Sequence, residues 1–244
     1  MADGPDGVPP VRPGPPGRPW AGGGREELAA AVRRLMELTV TASPPPGALV
    51  AAAAAVEALA DGLAAEVPDG GAVPQARFAD EPVAADGTDP LVSAMPFDMV
   101  IGPCNPLAPP IELWLDPPMA RGRGVFAPTY EGAPGCVHGA ALAAAFDIVL
   151  TAANIVVDGA GPTVELTIRY RKPTLVGVAC TFEAWVNEKT DRRTFSEGRL
   201  IQDGIVTVEA VGEFVNFDRR RVEAMHRRPG AAGAGGTPAD SGGS

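Results

Sequence analysis

Histidine, cysteine and serine are scarce in this 244-residue chain, and each scarcity closes off a class of chemistry. The two histidines are His138 and His226, and the three cysteines are Cys104, Cys136 and Cys180, with no C-x-x-C pair among them. A zinc centre would need nearly all of these to converge, and no ligand spacing supports one. An odd cysteine count without paired spacing argues against a disulfide framework and for a reducing compartment. The chain has five serines and no G-x-S-x-G, so a serine-hydrolase elbow is excluded, as is a nucleotide P-loop. Positive charge is also short: the net charge is −10, and no segment is strongly basic, which argues against a nucleic-acid binder held by phosphate contacts. The N-terminus lacks a positive region followed by an apolar one, so no signal peptide is expected. The most apolar stretch, 47–67, is broken by Glu57 and Asp61, so no membrane span is expected and the location expected is cytoplasmic.

Glycine and proline, by contrast, are abundant at 30 and 27 residues, and they cluster at the ends. Residues 1–24 contain 14 of them and read as a disordered arm; residues 218–244, basic and then Gly-rich, read as a disordered tail. Between these lie two parts. Residues 25–67 predict a helical hairpin. Glu26 and Glu27 open a helix that runs to Thr39, with Leu28, Val32 and Leu35 on one face. Ser43-Pro44-Pro45-Pro46-Gly47 then breaks the chain, and a second helix follows from about Ala48 to Glu66. Residues 68–96 read as an acidic loop.

Residues 97–217 carry the strand signal. Ile111–Asp116 and Gly124–Thr129 predict short strands, and His138–Val157 one long apolar helix. Four strands at hairpin spacing follow: Thr163–Arg171, with Val164, Leu166, Ile168 and Tyr170 on one face, then Val178–Asn187, Arg193–Gln202 and Ile205–Phe217. Asp203-Gly204 is a type I′ hairpin signal. A helix that is apolar nearly all round must be buried on most sides, and one antiparallel sheet can bury it only by curling around it. The fold class expected is therefore α+β: a hotdog fold, an antiparallel sheet wrapped around a central long helix, with an N-terminal helical hairpin.

Asp147 is the anomaly of the central helix, being flanked by apolar residues on both sides. Burying a carboxylate is costly unless it is paired or neutralised. Ala140, Ala144, Asp147, Thr151 and Asn154 share a stripe that is small before Asp147 and polar after it. The pattern admits two readings, a carboxylate bonded to a neighbouring strand for structure and one placed for chemistry. The helix is preceded by the Gly/Pro-rich loop Tyr130–Gly139, whose free N–H groups at the helix start suit an anion or a developing oxyanion. Gly139 would let a substrate approach the backbone closely.

Here the sequence resembles a known family. Gly135-Cys136-Val137-His138-Gly139-Ala140, with an aspartate nine residues after the histidine, is similar to the His-Gly-Gly…Asp signature of PaaI-like hotdog thioesterases, of the 4-hydroxybenzoyl-CoA thioesterase superfamily. Residues 163–173 (TVELTIRYRKP) resemble the strand that follows the helix there, with its Tyr-basic-basic-Pro ending, and Thr163 resembles the threonine of the long-chain acyl-CoA branch. One departure is Ala140 in place of the second glycine. The resemblance implies an acyl-CoA thioesterase. Asp147 would act as general base or nucleophile. N–H groups at Gly139 and Ala140 would form the oxyanion hole, Thr163 would position the water or the carboxylate, and His138 would orient the loop or bind near the carbonyl. Ala140 and Asn105 would line the substrate, and Arg171 and Lys172 would meet its phosphates. No cofactor and no metal is implied.

Other cations, Arg121, Arg123, Arg169, Arg192, Arg193 and Arg199, are candidates for the same mouth or members of a solvated sheet surface. A Cys136–His138 dyad is disfavoured because residues two apart project away from each other. Hotdog hydratases carry an Asn-Pro-like element followed by a histidine; Asn105-Pro106 has no such histidine after it, which counts against a dehydratase. The alternative to an enzyme is a catalytically silent hotdog module that binds acyl-CoA or a partner. Gly139 and Asp147 lie eight residues apart, about 12 Å along a helix axis. They could meet one carbonyl only across a two-fold interface, so a homodimer, or a dimer of dimers forming a homotetramer, with a shared active site is expected.

Overall fold

The computed structural model of the chain describes residues 24–67, 91, 95–109, 111–159 and 161–216. The two ends expected to be disordered, nearly all of the 68–96 loop, and Phe217 lie outside the described residues. Three helices are described: α1 (Arg25–Thr41), α2 (Pro46–Ala64) and α3 (Gly139–Val156). Six strands form one antiparallel sheet: β1 (Glu112–Asp116), β2 (Met119–Val125), β3 (Thr163–Tyr170), β4 (Ala179–Lys189), β5 (Arg193–Gln202) and β6 (Ile205–Val215).

The hotdog arrangement is present. The sheet curls around α3, which buries Leu142, Ala145, Phe146, Ile148, Val149, Leu150, Ala152 and Ala153 against it. Phe146 meets Phe182 of β4 edge-to-face at 5.7 Å between ring centroids. Small residues on the strands let the sheet come this close. A Cβ on Gly212 would lie 2.9 Å from Leu150 Cδ1, and one on Gly198 3.2 Å from Leu150 Cδ2.

The strand order is β1-β2-β4-β5-β6-β3. This corrects the expected four-strand meander. Only β4, β5 and β6 are successive neighbours, while β3 pairs with β6 and sits at the sheet edge. The segment after β3 is no hairpin. It runs past the Gly-rich loop instead, with Val137 N–H donating to Thr174 O at 2.8 Å and Val176 N–H to Gly135 O at 3.1 Å. On β3 Leu166 and Ile168 pack on the core, while Val164, at a register shift between Thr163 and Glu165, and Tyr170, at the strand end, are exposed. The second strand is also earlier than expected, at Met119–Val125 rather than Gly124–Thr129. Gly122 disguises it: a Cβ there would stand 2.4 Å from Leu113 Cδ2, so the residue that reads as a turn is required inside the strand. The Asp203-Gly204 hairpin turn has φ of 48° and 75°, as a type I′ turn requires.

The helical hairpin is present. Ala29 of α1 is buried, and Arg33 donates to Asn105 O at 2.9 Å and to Pro103 O at 3.3 Å, fastening the helix to the loop that precedes β1. Pro46 occupies the first turn of α2, where its missing N–H costs nothing. Every residue of α2 is exposed. By length and composition α2 and α3 are both apolar enough to cross a membrane, although half of α3 is buried inside the fold. The expectation of no span rested on Glu57 and Asp61, which lie within α2.

The core depends on the α3–β4 contact. Phe146→Ala is expected to cost about 3–5 kcal/mol of unfolding free energy, read by urea denaturation, because Phe146 is fully buried and its neighbours on the sheet cannot collapse into the space.

Candidate active site

The N-terminus of α3 is built by a braced loop. Glu131 accepts from Gly135 N–H at 2.8 Å, Gly132 N–H donates to Cys136 O at 2.8 Å, and His138 N–H donates to Tyr130 O at 2.7 Å. From the other side Gln202 accepts from Leu175 N–H at 2.8 Å and donates to the carbonyls of Leu175 and Val178 at 3.0 and 3.1 Å. The segment on which the loop rests is thus tied to the sheet.

His138 is the N-cap of α3, and its Nδ1 accepts from Ala140 N–H at 3.0 Å. A neutral imidazole that accepts at Nδ1 carries its proton on Nε2 and can donate from there. The bond also bears on the expected oxyanion hole. The Ala140 N–H is already taken, and among the described residues only the Gly139 N–H at the helix start has no acceptor. A neighbouring side chain also uses the space at residue 139. A Cβ there would lie 2.9 Å from Tyr170 Oη, so glycine makes room for that phenol.

Asp147 lies midway along α3 and is exposed, contrary to a buried carboxylate. Thr163 Oγ1, at the start of β3, donates to Asp147 Oδ1 at 2.6 Å. The chain thus brings together two residues sixteen apart in sequence, one on the helix and one on the edge strand. Asp147 and Gly139 share one uninterrupted helix, so the separation of about 12 Å holds within a chain. The polar stripe does not continue as expected. Thr151 bonds back to Asp147 O at 2.8 Å, and Asn154 is buried, its Oδ1 accepting from Ser196 Oγ.

The remaining candidates are placed elsewhere. Both ends of the Asn105 amide serve its own loop: Nδ2 donates to Phe97 O at 3.1 Å and Oδ1 accepts from Leu107 N–H at 3.0 Å. Arg171 pairs with Glu209 at 2.6 Å, while Lys172 is exposed beside it. Arg121 and Arg199 share Glu183, Arg123 pairs with Glu112, and Arg193 with Glu213. These belong to a sheet surface of mutual ion pairs. Burial pushes the Glu183 carboxyl up, but hydrogen bonds from Arg199 and Arg121 outweigh it and hold the group below its ordinary range. Cys136 Sγ faces Pro134 O at 3.6 Å rather than the imidazole. Among the described residues no group of His, Cys, Asp and Glu is arranged to hold a metal ion.

Residues 134–209, which contain the helix start, Asp147 and Thr163, match the family model of the thioesterase superfamily. A solved crystal structure of a thioesterase superfamily protein is 29% identical, with a TM-score of 0.68 over 83% of this chain and 94% of that one. The chain has the hotdog fold and carries within it a segment that matches the thioesterase superfamily. It is also similar to the E. coli PaaI protein of the phenylacetic acid degradation operon (16% identity, TM-score 0.41, 44% of this chain and 80% of that one). Zebra fish thioesterase superfamily member 2 is similar at 17% identity and a TM-score of 0.42, over 44% of this chain and 81% of that one. No curated protein matches this sequence.

The protein is a thioester hydrolase, and the candidate site residues are drawn from α3, the loop before it and the first residue of β3. Sequence reasoning missed two contacts around the helix start. Tyr170 donates to Gly139 O at 2.9 Å, and α1 closes a cleft of about 240 Å³ against the turn at Pro128–Tyr130, where the Tyr130 carbonyl accepts from His138 N–H. Neither contact has a local signal, because the partners lie 31 residues apart or more.

Cys180 is buried and poorly suited to act as a nucleophile. Burial pushes that thiol up to about 12, only partly offset by its bond to Gly124 O. Cys180 should resist alkylation at pH 8 in the native protein and react only after unfolding, as mass spectrometry of labelled peptides would show. The sign of the linkage is that the neutral thiol favours the fold, so this contribution is full below about pH 9 and is lost between about pH 9 and 12.

Proposed function

We propose that this thioesterase hydrolyses acyl-CoA thioesters to the free acid and CoA. The observation that carries the reading is the exposed Asp147 carboxylate held by Thr163 at 2.6 Å on a helix whose start presents one uncommitted N–H. Asp147 takes a proton from water as general base, with Oδ1 fixed by Thr163 and its other oxygen turned to the water. The water oxygen adds to the thioester carbonyl, and the negative charge that forms on the carbonyl oxygen meets the Gly139 N–H and the positive end of the α3 dipole. His138, with its proton on Nε2, adds a second donor near that oxygen. Collapse of the tetrahedral intermediate expels the CoA thiolate, which receives the proton from Asp147.

Distance within the helix requires two chains for this. Gly139 of one protomer and Asp147 of another are the pair that faces one carbonyl, in a homodimer or a dimer of dimers. Ala140 lines the acyl side at an exposed position of the helix start. Lys172 and Arg171, immediately after β3, are the cations offered to the phosphates of CoA. Asn105 contributes through the shape of its loop. Thr163 supports medium to long acyl chains as the substrate, and a cytoplasmic location suits a CoA ester and three free thiols.

The deciding experiment is free-thiol release from a panel of short, medium, long and aryl CoA thioesters, with Asp147→Asn alongside. The variant should keep fold and oligomeric state and lose turnover at least about a hundredfold. Thr163→Ala should lose less, about tenfold, as expected when an orienting bond is removed and the base remains. Near-normal turnover in Asp147→Asn would sink the mechanism. Single turnover in ¹⁸O-water should label the product acid and leave Asp147 unlabelled; label in Asp147 would make it the nucleophile of a mixed anhydride instead.

A further inference from the structure

The geometry points to Tyr170 as a positioning residue for the thioester reaction: its hydroxyl holds the Gly139 carbonyl and thereby aims the one free N–H at the start of α3. This deepens the reading above and rests on it. An α-helix begins with four N–H groups that have no partner inside the helix. Here three of the four are committed. Ala141 and Leu142 donate to His138 O at 3.0 and 3.3 Å, and Ala140 donates to His138 Nδ1 at 3.0 Å. The His138–Gly139 peptide is therefore held by its carbonyl, and because a trans peptide is planar its N–H points the opposite way, out of the helix start. That is the donor for an oxyanion.

The next peptide decides whether this aim persists. Its N–H is held by the imidazole and its carbonyl by Tyr170 Oη at 2.9 Å, so the Gly139–Ala140 unit is gripped from both ends. Tyr170 is itself well anchored, since Arg171 N–H and Lys172 N–H, immediately after it, both donate to Thr207 O, at 2.8 and 3.1 Å. The glycine at 139 is the independent mark of this contact, for any Cβ would meet the phenol oxygen at 2.9 Å and its Cζ at 3.1 Å. Tyr170 is 55% exposed, so its hydroxyl can exchange the carbonyl for water at little cost to the fold. What is lost without it is alignment, which matters in the transition state more than in substrate binding.

Tyr170→Phe in the full chain tests this, because it keeps the ring and removes the bond. The expected result is a fall in kcat of about fivefold to tenfold, one neutral hydrogen bond's worth, with KM within about twofold. Hydrogen exchange of the Ala140 amide should rise by about the same factor, while that of Val149 in mid-helix stays unchanged. Gly139→Ala should displace the phenol and give a similar kcat loss, and the double variant should lose no more than either single one. A kcat within about twofold of the parent would overturn the role, as would a KM rise at constant kcat, or additive losses in the double variant. Wild-type protein without turnover on any thioester would sink the hydrolase reading instead. The Ala140 exchange rate would then still decide whether Tyr170 holds the turn, and no change in that rate would overturn it.

Discussion

Burial of one apolar helix against a curled sheet is the constraint on which the rest of this molecule depends. α3 has no charged residue besides Asp147, and its Phe146, Val149 and Leu150 are withdrawn from water completely. At roughly 25 cal/mol per Å² of apolar surface, residues of this size are each worth about 2 kcal/mol or more on burial, so the helix must find cover. The sheet supplies it by bending, and the bend is allowed by what the strands lack. Gly198 and Gly212, with Ala184 and Ala210 beside them, leave the space that Leu150 and Phe146 fill. Large side chains at these positions would lift the helix off the sheet. The site is a consequence, because a helix clamped along one side presents its other side, with Asp147, at a fixed height above the edge strand that carries Thr163.

Asp147 and Asn154, two of the three polar residues on one stripe of α3, show how position along one helix decides fate. They lie two turns apart, yet Asp147 is exposed and Asn154 has no exposed surface. At the C-terminal end the chain folds back over the helix: Gly159 N–H donates to Asn154 O at 2.8 Å, and Lys189 Nζ donates to the carbonyls of Val157 and Asp158. Asn154 is thereby turned into the core, where Ser196 satisfies its oxygen. Among the described residues nothing covers the middle of the helix in this way. A carboxylate can stay charged there, whereas at position 154 it would need a buried counter-charge.

Much of the fold was legible because its signals are periodic and local. The apolar run gives α3 within a residue or two, Arg193–Gln202 is β5 to the residue, and Asp203-Gly204 forms the turn that its chemistry demands. The union of Asp147 with Thr163 was legible only through resemblance, since nothing in the spacing of sixteen residues says that a strand start will reach a helix middle. What stayed hidden are contacts with no local pattern: β3 against β6, Arg33 of α1 against the 103–105 carbonyls, and Tyr170 against Gly139. Gly139 is the instructive case. A glycine at a helix start reads as room for a ligand, but the neighbour that needs the room is a side chain of the same chain, and only the three-dimensional contact tells the two apart.

The replacement of a second glycine by Ala140 then loses most of its weight. In a hole with two backbone donors a methyl group at that residue would matter through the N–H beside it. Here that N–H is bonded to His138 Nδ1. On the proposed mechanism the hole contributed by one chain narrows to a single N–H, and a donor of that kind is worth about a hundredfold to a thousandfold in rate where it has been removed from other hydrolases. A site that depends so heavily on one donor must fix its direction closely. The N-cap histidine serves that need twice over, by tying down the adjacent peptide through Nδ1 and by leaving its remaining proton on Nε2, where it can face the same charge. On that mechanism one side chain at the helix start both removes a competing donor and supplies a replacement, which explains how the helix start can tolerate alanine at residue 140, while a side chain at residue 139 would displace the Tyr170 phenol.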